Sequence, residues 1–268
     1  MSKNENESVS SRELAEKYNS DYVKILGDFK LDCFKRSTSL TVYRYMRYKW
    51  AKNLIESKKI SFADPATWED PFEKRFVCGD YEQSGFKKNQ VAAFCVTTEH
   101  GENESAFWRQ FDMENRHDLV QLTFDFDVLI KSLSDFAQKN NAKVYVSPCK
   151  YDYTSEEIKN NSKIQKVYKT IDEESFIELA CLKRRAFKYE YELRIFMYGE
   201  KLPIEGGRLN IPLKGKLVKT LKVCPNPSVE AFVSNDFVRE MLQERLGIRV
   251  EKSHLYDEVS KFKFSRGK

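Results

Sequence analysis

The stretch that most constrains this chain is Phe187-Lys188-Tyr189-Glu190-Tyr191-Glu192-Leu193-Arg194-Ile195-Phe196. Aromatic and aliphatic residues alternate with charged ones, which is the period of a β-strand. Read as a strand, it puts Tyr189, Tyr191, Leu193 and Ile195 on one face and Lys188, Glu190, Glu192 and Arg194 on the other. The first set can pack into a core. The second lines up two carboxylates and a guanidinium at intervals of roughly 7 Å. Two readings of that row are open. A sheet with one wet face carries Glu and Arg at i and i+2 as ordinary solvated neighbours. A cleft with an acidic floor would instead use Glu192 or Glu190 as a working carboxylate.

A chain of 268 residues, 41% hydrophobic and 13% aromatic, can bury a sizeable core. Charged residues make up 32% with no long apolar run, so no transmembrane helix and no membrane contact are expected. The polar start Met1-Ser2-Lys3-Asn4-Glu5-Asn6-Glu7 lacks the apolar centre of a signal peptide, which points to the cytoplasm. Net charge is +5 with both signs interspersed, which permits an anionic partner such as RNA without requiring one. Cys33, Cys78, Cys95, Cys149, Cys181 and Cys224 form no C-x-x-C pair, and His100, His117 and His254 lack ligand spacing, so no metal site is expected. Most of the thiols sit in apolar settings and read as reduced core residues.

Taken in order, residues 1–10 read as a disordered tail and 11–29 as a charged helix with Leu14, Tyr18, Tyr22, Ile25 and Leu26 on its apolar stripe. Strands follow at 40–46, 60–63, 91–98, 119–124, 143–147, 209–213, 217–224 and 248–251. Helices are expected at 47–58, 104–114, 126–140, 173–185 and 234–246, the last capped by Ser234 and stopped by Gly247. Residues 154–172 read as a charged helical insertion. Strand, helix and strand from 217 to 252 suit a βαβ unit or an α+β appendage. No linker interrupts 11–268, so the expectation is a single α+β domain with a mixed central sheet flanked by helices.

Arg44 shares its strand face with Leu40, Val42 and Met46 and therefore needs an acidic or phosphate partner. A structural ion pair and a ligand-gripping arginine are equally open. Two Asp-Pro steps in Asp64-Pro65-Ala66-Thr67-Trp68-Glu69-Asp70-Pro71-Phe72-Glu73 stiffen a loop that is either a turn with tucked aromatics or a pocket wall. The basic triplet Lys183-Arg184-Arg185 reads as a solvated helix end. Phosphate-loop, dinucleotide and nucleophile-elbow motifs are missing, and three histidines suggest no Ser/His/Asp triad. Paired carboxylates acting on a glycosidic bond remain.

Tyr43-Arg44-Tyr45, Ser61-Phe62, Trp68 to Glu73 (W-x-D-P-F-E), Phe94-Cys95-Val96-Thr97 with Phe107-Trp108-Arg109-Gln110-Phe111, and the E-x-E-x-R of Glu190, Glu192 and Arg194 occur in this order. Over residues 40 to 255 the set resembles a widespread bacterial family classed as a domain of unknown function, often associated with phage-defence or toxin loci. The order is also similar to the R-S-E layout of ADP-ribosyltransferases. That resemblance implies an ADP-ribosyltransferase-like fold, with NAD as substrate and a toxin or antiviral role. It implies Arg44 on the NAD pyrophosphate and Thr97, with Thr98, as the middle hydroxyl element. Glu192 becomes the catalytic carboxylate that stabilises an oxocarbenium ion, and Glu190 orients or deprotonates the acceptor. Tyr43, Tyr45 or Trp108 would stack on nicotinamide. The acceptor would be RNA, another nucleic acid or a protein, and a neutralising antitoxin or chaperone would be a partner. Phe94 to Thr98 departs from the family's S-T-S form, and Arg194 stands two residues from Glu192, where pairing would quench it.

The alternative is a non-catalytic α+β interaction module of a defence or toxin–antitoxin system. In it the charged face is consumed by Arg44–Glu192 and Glu190–Arg194 ion pairs, while the N-terminal helix and residues 154–172 bind a partner.

Overall fold

The computed structural model describes residues 10–27, 40–68, 70, 73, 90–98, 104–112, 117–151, 154–160, 172–225, 242–243 and 246–255. The expected tail at 1–10 lies outside them apart from Ser10, as do 161–171 of the insertion and most of the helix expected at 234–246.

Among the described residues ten strands join one mixed sheet: β1 (Val23–Ile25), β2 (Thr41–Arg47), β3 (Lys59–Ala63), β4 (Val91–Thr97), β5 (Leu119–Asp125), β6 (Ala142–Pro148), β7 (Glu192–Gly199), β8 (Arg208–Pro212), β9 (Val218–Val223) and β10 (Arg249–Lys252). The order across it is β1-β6-β7-β4-β2-β5-β9-β10, with β3 pairing β4 and β8 off that path. The β1/β6 and β9/β10 pairs are parallel, and the others are antiparallel. The parallel β9/β10 pair is what the βαβ reading of 217–252 requires. Gly247 sits at φ 61°, where its N–H and that of Ile248 reach the carbonyls of Gln243 and Leu242. That is the helix-stopping geometry expected of it.

Helices α1 (Ser11–Tyr18), α2 (Tyr48–Ser57), α3 (Glu104–Phe111), α4 (Phe126–Lys139), α5 (Ser155–Asn160) and α6 (Glu173–Ala180) flank the sheet. N-cap side chains fix three of the starts. Ser10 forms a capping box with Glu13, Asp125 accepts from Val128 N, and Asp172 accepts from Ser175 N. The main core joins Val42, Phe62, Phe94, Phe124, Leu129, Val146, Leu193 and Ile195. A second cluster, with Val91, Ala93, Tyr145, Phe176, Ile177 and Phe196, covers the opposite face of β4, β6 and β7.

Three expectations are corrected. The helix expected over 173–185 ends at Ala180, with Cys181 as its C-cap. The helix expected over 11–29 ends at Tyr18. Asn19 Oδ1 accepts from Ile25 N at 2.7 Å, and Ser20 Oγ accepts from Val23 N at 3.1 Å, so polar side chains close a turn there. Val23 and Ile25 then alternate into the core as β1. The strand expected from Phe187 begins only at Glu192. Residues Arg185–Glu190 form a 3₁₀ turn that ends at Tyr191 in the left-handed region, φ 41°. A strand needs neighbours to bond, and both run out here: β4 ends opposite Glu192 at Thr97, and β6 ends opposite Leu193 at Pro148.

Candidate functional site

The sheet forks at β4. Along one edge of this strand, Thr97 pairs with Tyr43 of β2, whereas Ala93 pairs with Ala63 of β3. Cys95 falls between the two branches, and its carbonyl accepts from Arg44 Nη1 at 2.9 Å. The guanidinium fills the crotch of the fork and lies over the Phe94 ring, 4.1 Å from its centroid. Among the described residues Arg44 has no carboxylate at ion-pair distance, and Nη1 alone of its nitrogens is hydrogen-bonded. Burial lowers its pKa below the ordinary arginine value, with Arg208 adding to the effect, and the charge of Glu192 opposes it.

A cleft of about 190 Å³ opens at this fork. The expected residues Tyr43, Arg44, Tyr45, Thr97, Glu190 and Glu192 line it, together with Cys95, Val96, Phe107, Gln110, Phe111 and Lys183. Strand register explains part of the convergence. Tyr43, Thr97 and Glu192 stand directly opposite one another on β2, β4 and β7, so they share one sheet face in one row. Arg44 belongs to the other face and reaches the cleft only because the fork leaves a gap.

Thr98 and Trp108, also expected in the NAD site, do not line the cleft. Thr98 N and Oγ1 both donate to the Tyr191 carbonyl, at 3.2 and 3.3 Å. Trp108 is buried, donates to Glu104 Oε1 at 2.9 Å and meets the Tyr45 ring edge-on. An indole in that position has no free face for a ligand.

The row of charge on β7 is not a solvated face. Glu192 and Arg194 are buried, as are Glu190, Glu73 and Lys183. Arg194 Nε donates to Glu192 Oε1 at 2.9 Å and Nη2 to Glu192 Oε2 at 3.1 Å. Its Nη2 also meets Glu73 Oε1 at 2.9 Å, Nη1 donates to the Ala180 carbonyl, and the Trp68 ring covers its flat face at 4.3 Å. Lys183 Nζ bonds Glu192 Oε2 at 2.6 Å, makes a short contact with Glu190 Oε2 and lies 3.5 Å from Glu73. The ion pairs expected for this face, Arg44–Glu192 and Glu190–Arg194, are therefore replaced by Arg194–Glu192 and Lys183–Glu190. Trp68 is tucked under as a rigid-turn reading requires, and Asp64 caps that turn by accepting from Ala66 N at 2.9 Å.

The two cleft glutamates are pushed in opposite directions. Burial would raise the carboxyl of Glu192, but Arg194 and Lys183 outweigh it and hold the group well below the usual carboxylate range. Glu190 goes up, because burial and the neighbouring Glu192 charge exceed what Lys183 returns. Lys183 is pushed above the ordinary lysine range, since Glu192, Glu73 and Glu190 outweigh its burial. Burial likewise pushes up the Cys95 thiol beside Glu192, so this cysteine is a poor nucleophile. Three carboxylates against two cations leave the cluster with one surplus negative charge.

Lys183, Gln110, Phe107 and Phe111 were not among the expected site residues. Lys183 looked like part of a solvated basic helix end. Gln110 and Phe111 stood in the quoted middle motif without a role, and that motif was the one signal that pointed to them. Among the described residues no helix is long and apolar enough to cross a membrane, and no cluster of His, Cys, Asp or Glu suits a metal ion. Cys95, Cys149, Cys181 and Cys224 are free thiols.

No known family profile and no curated protein matches this chain. Two solved structures of Thermus sp. 2.9 DarT, one in complex with NAD+ and one in complex with ADP-ribosylated ssDNA, align over 81% of it. They share 10% identity at a TM-score of 0.34, and the alignments cover 96% and 95% of those chains. So faint a likeness carries no weight for the function.

Proposed function

We propose that this chain is an NAD-dependent ADP-ribosyltransferase, acting as a toxin or anti-phage effector in the cytoplasm, with its site at the fork of β2 and β4. Convergence carries the reading: Tyr43-Arg44-Tyr45, Thr97 and Glu190/Glu192 come from three distant stretches and line one cleft. NAD as substrate would supply the ADP-ribosyl group, with nicotinamide as the leaving group. Arg44 suits its pyrophosphate, because the carbonyl of Cys95 occupies only one end of the guanidinium fork. Thr97 and Tyr43 stand beside Glu192 on the sheet row. Glu192, kept anionic by Arg194 and Lys183, would stabilise positive charge that develops at the anomeric carbon. Glu190, with its raised pKa, suits the proton of the acceptor. Two neighbouring carboxylates held at different pKa values are what divided acid–base and electrostatic roles require. Nucleic acid, RNA first, is the proposed acceptor, with protein next and a neutralising antitoxin or chaperone as partner. Residues 11–268 are proposed to act as a single domain.

One observation favours a second reading. Both oxygens of Glu192 are engaged by Arg194, and one also by Lys183, as in a structural ion-pair network of a non-catalytic module. Purified protein with labelled NAD and cell lysate, with and without RNase, separates the two. The transferase reading expects label in RNA, or in protein if that is the acceptor, and none with Glu192→Gln. A well-folded protein that neither transfers label nor binds NAD leaves the module reading in its place.

A further inference from the structure

We infer that Phe111 and Gln110, at the end of α3, form a stacking subsite for an unpaired base of a single-stranded nucleic acid at the lip of the cleft. This deepens the transferase reading, since it says what sits opposite Glu190.

Three rings of the cleft wall are parallel. Tyr45 and Phe107 stack at 4.7 Å between centroids, 8° apart in plane. Phe111 lies within 5° of the Tyr45 plane at 6.2 Å and within 3° of the Phe107 plane at 6.5 Å. The first two are buried, but Phe111 is 43% exposed and lines the cleft. An apolar ring left open to water and held in register with two buried rings offers a pre-oriented π-face, which is how proteins hold unpaired bases.

The neighbouring amide is also fixed. Gln110 Nε2 donates to Glu190 Oε1 at 2.8 Å, and the Tyr189 hydroxyl donates to Gln110 Oε1 at 2.8 Å. Each end of the amide keeps capacity for one further hydrogen bond, which is the donor and acceptor pair that reads a base edge. Arg109 on α3 and Lys188 on the 3₁₀ turn are exposed, and neither has an ion pair among the described residues. They are available to the backbone phosphates outside the cleft.

The test is fluorescence anisotropy of the full chain, without NAD, on labelled single-stranded RNA and DNA of about 12 nucleotides, within one site length, and on the same RNA annealed to its complement. We expect single strands to bind more tightly than duplex. Phe111→Ala and Phe111→Leu, with unchanged melting temperature, should bind about tenfold more weakly, the loss of one stacked base. Phe111→Trp should retain binding. Arg109→Ala with Lys188→Ala should flatten the salt dependence by about 1.4 units of slope. Trp50→Ala removes another exposed aromatic, one that does not line the cleft, and should change nothing. Equal losses in Trp50→Ala and Phe111→Ala, full affinity in Phe111→Leu, no oligonucleotide binding at all, or a Phe111 loss confined to NAD affinity would each overturn the subsite. Failure of NAD labelling alone would overturn the transferase reading and leave this measurement standing.

Discussion

Two arginines of the same sheet have opposite surroundings. Arg194 on β7 is closed in on every side: two carboxylates, a backbone carbonyl and an indole face satisfy it, and its side chain is 1% exposed. Arg44 on β2 holds one carbonyl and one phenyl ring and lines an open cleft. A buried charge with complete partners is a structural member. A charge with a half-used hydrogen-bonding fork beside a cavity has capacity left for an anion. Both glutamates line the cleft, but Glu192 is held by Arg194 and Lys183, whereas Glu190 is held by Lys183 and Gln110.

The largest expected effect tests the closed side. Arg194→Met removes one partner of a buried network and leaves Glu192 and Glu73 undercompensated, so urea unfolding should show a loss of about 3–5 kcal/mol. A loss no greater than that of Arg44→Met would erase the contrast.

Next comes the acid limb. Glu192 titrates lower in the folded state than in the unfolded one, so its contribution to stability is complete above the unfolded glutamate value, about 4.3. It is lost as pH falls through the depressed folded value. Urea midpoints of the wild type should drop below about pH 4.3, and Glu192→Gln should flatten that drop while lowering stability at neutral pH by about 2 kcal/mol.

Arg44→Met should cost about 1–2 kcal/mol, the worth of one charged hydrogen bond with its ring contact. It should also reduce NAD affinity at least tenfold by calorimetry. Unchanged NAD binding would reduce Arg44 to a plug for the fork.

The smallest stability effect belongs to Glu190→Gln. A raised folded pKa reverses the sign: Glu190 favours folding most at low pH, and that contribution fades as pH rises through the folded value. The neutral glutamine should therefore change neutral-pH stability by less than about 1 kcal/mol, on the stabilising side, while label transfer to the acceptor falls. A marked destabilisation would place Glu190 with Arg194 on the structural side.

Much of the sheet was legible because alternation and apolar runs are local: β2 to β6 and β8 to β10 lie within a residue or two of where the pattern puts them. The helix at 11–29 was overextended because Leu14, Tyr18, Tyr22 and Ile25 fit a helical stripe while Val23 and Ile25 also fit a strand. Asn19 and Ser20 decide between the two by bonding to amides ahead of them. The cluster at Lys183 was hidden for a different reason. In sequence it is one of three basic residues after a helix, and two of its carboxylate partners, Glu190 and Glu192, lie within ten positions but across a turn. The third, Glu73, stands over a hundred residues away in the chain.

By itself the sequence determined which stretches alternate, that Arg44 sits among apolar residues, and that Glu190, Glu192 and Arg194 are close in the chain. Those are properties of neighbours along one backbone. Only the tertiary structure decided that β4 divides its edge between β2 and β3, that Arg44 fills the gap, that Trp108 is buried while Phe111 is not, and that the β7 charges are paired out of water. Each of these depends on register and packing between segments far apart in the chain, where desolvation and partner geometry set the energy and no local period records them.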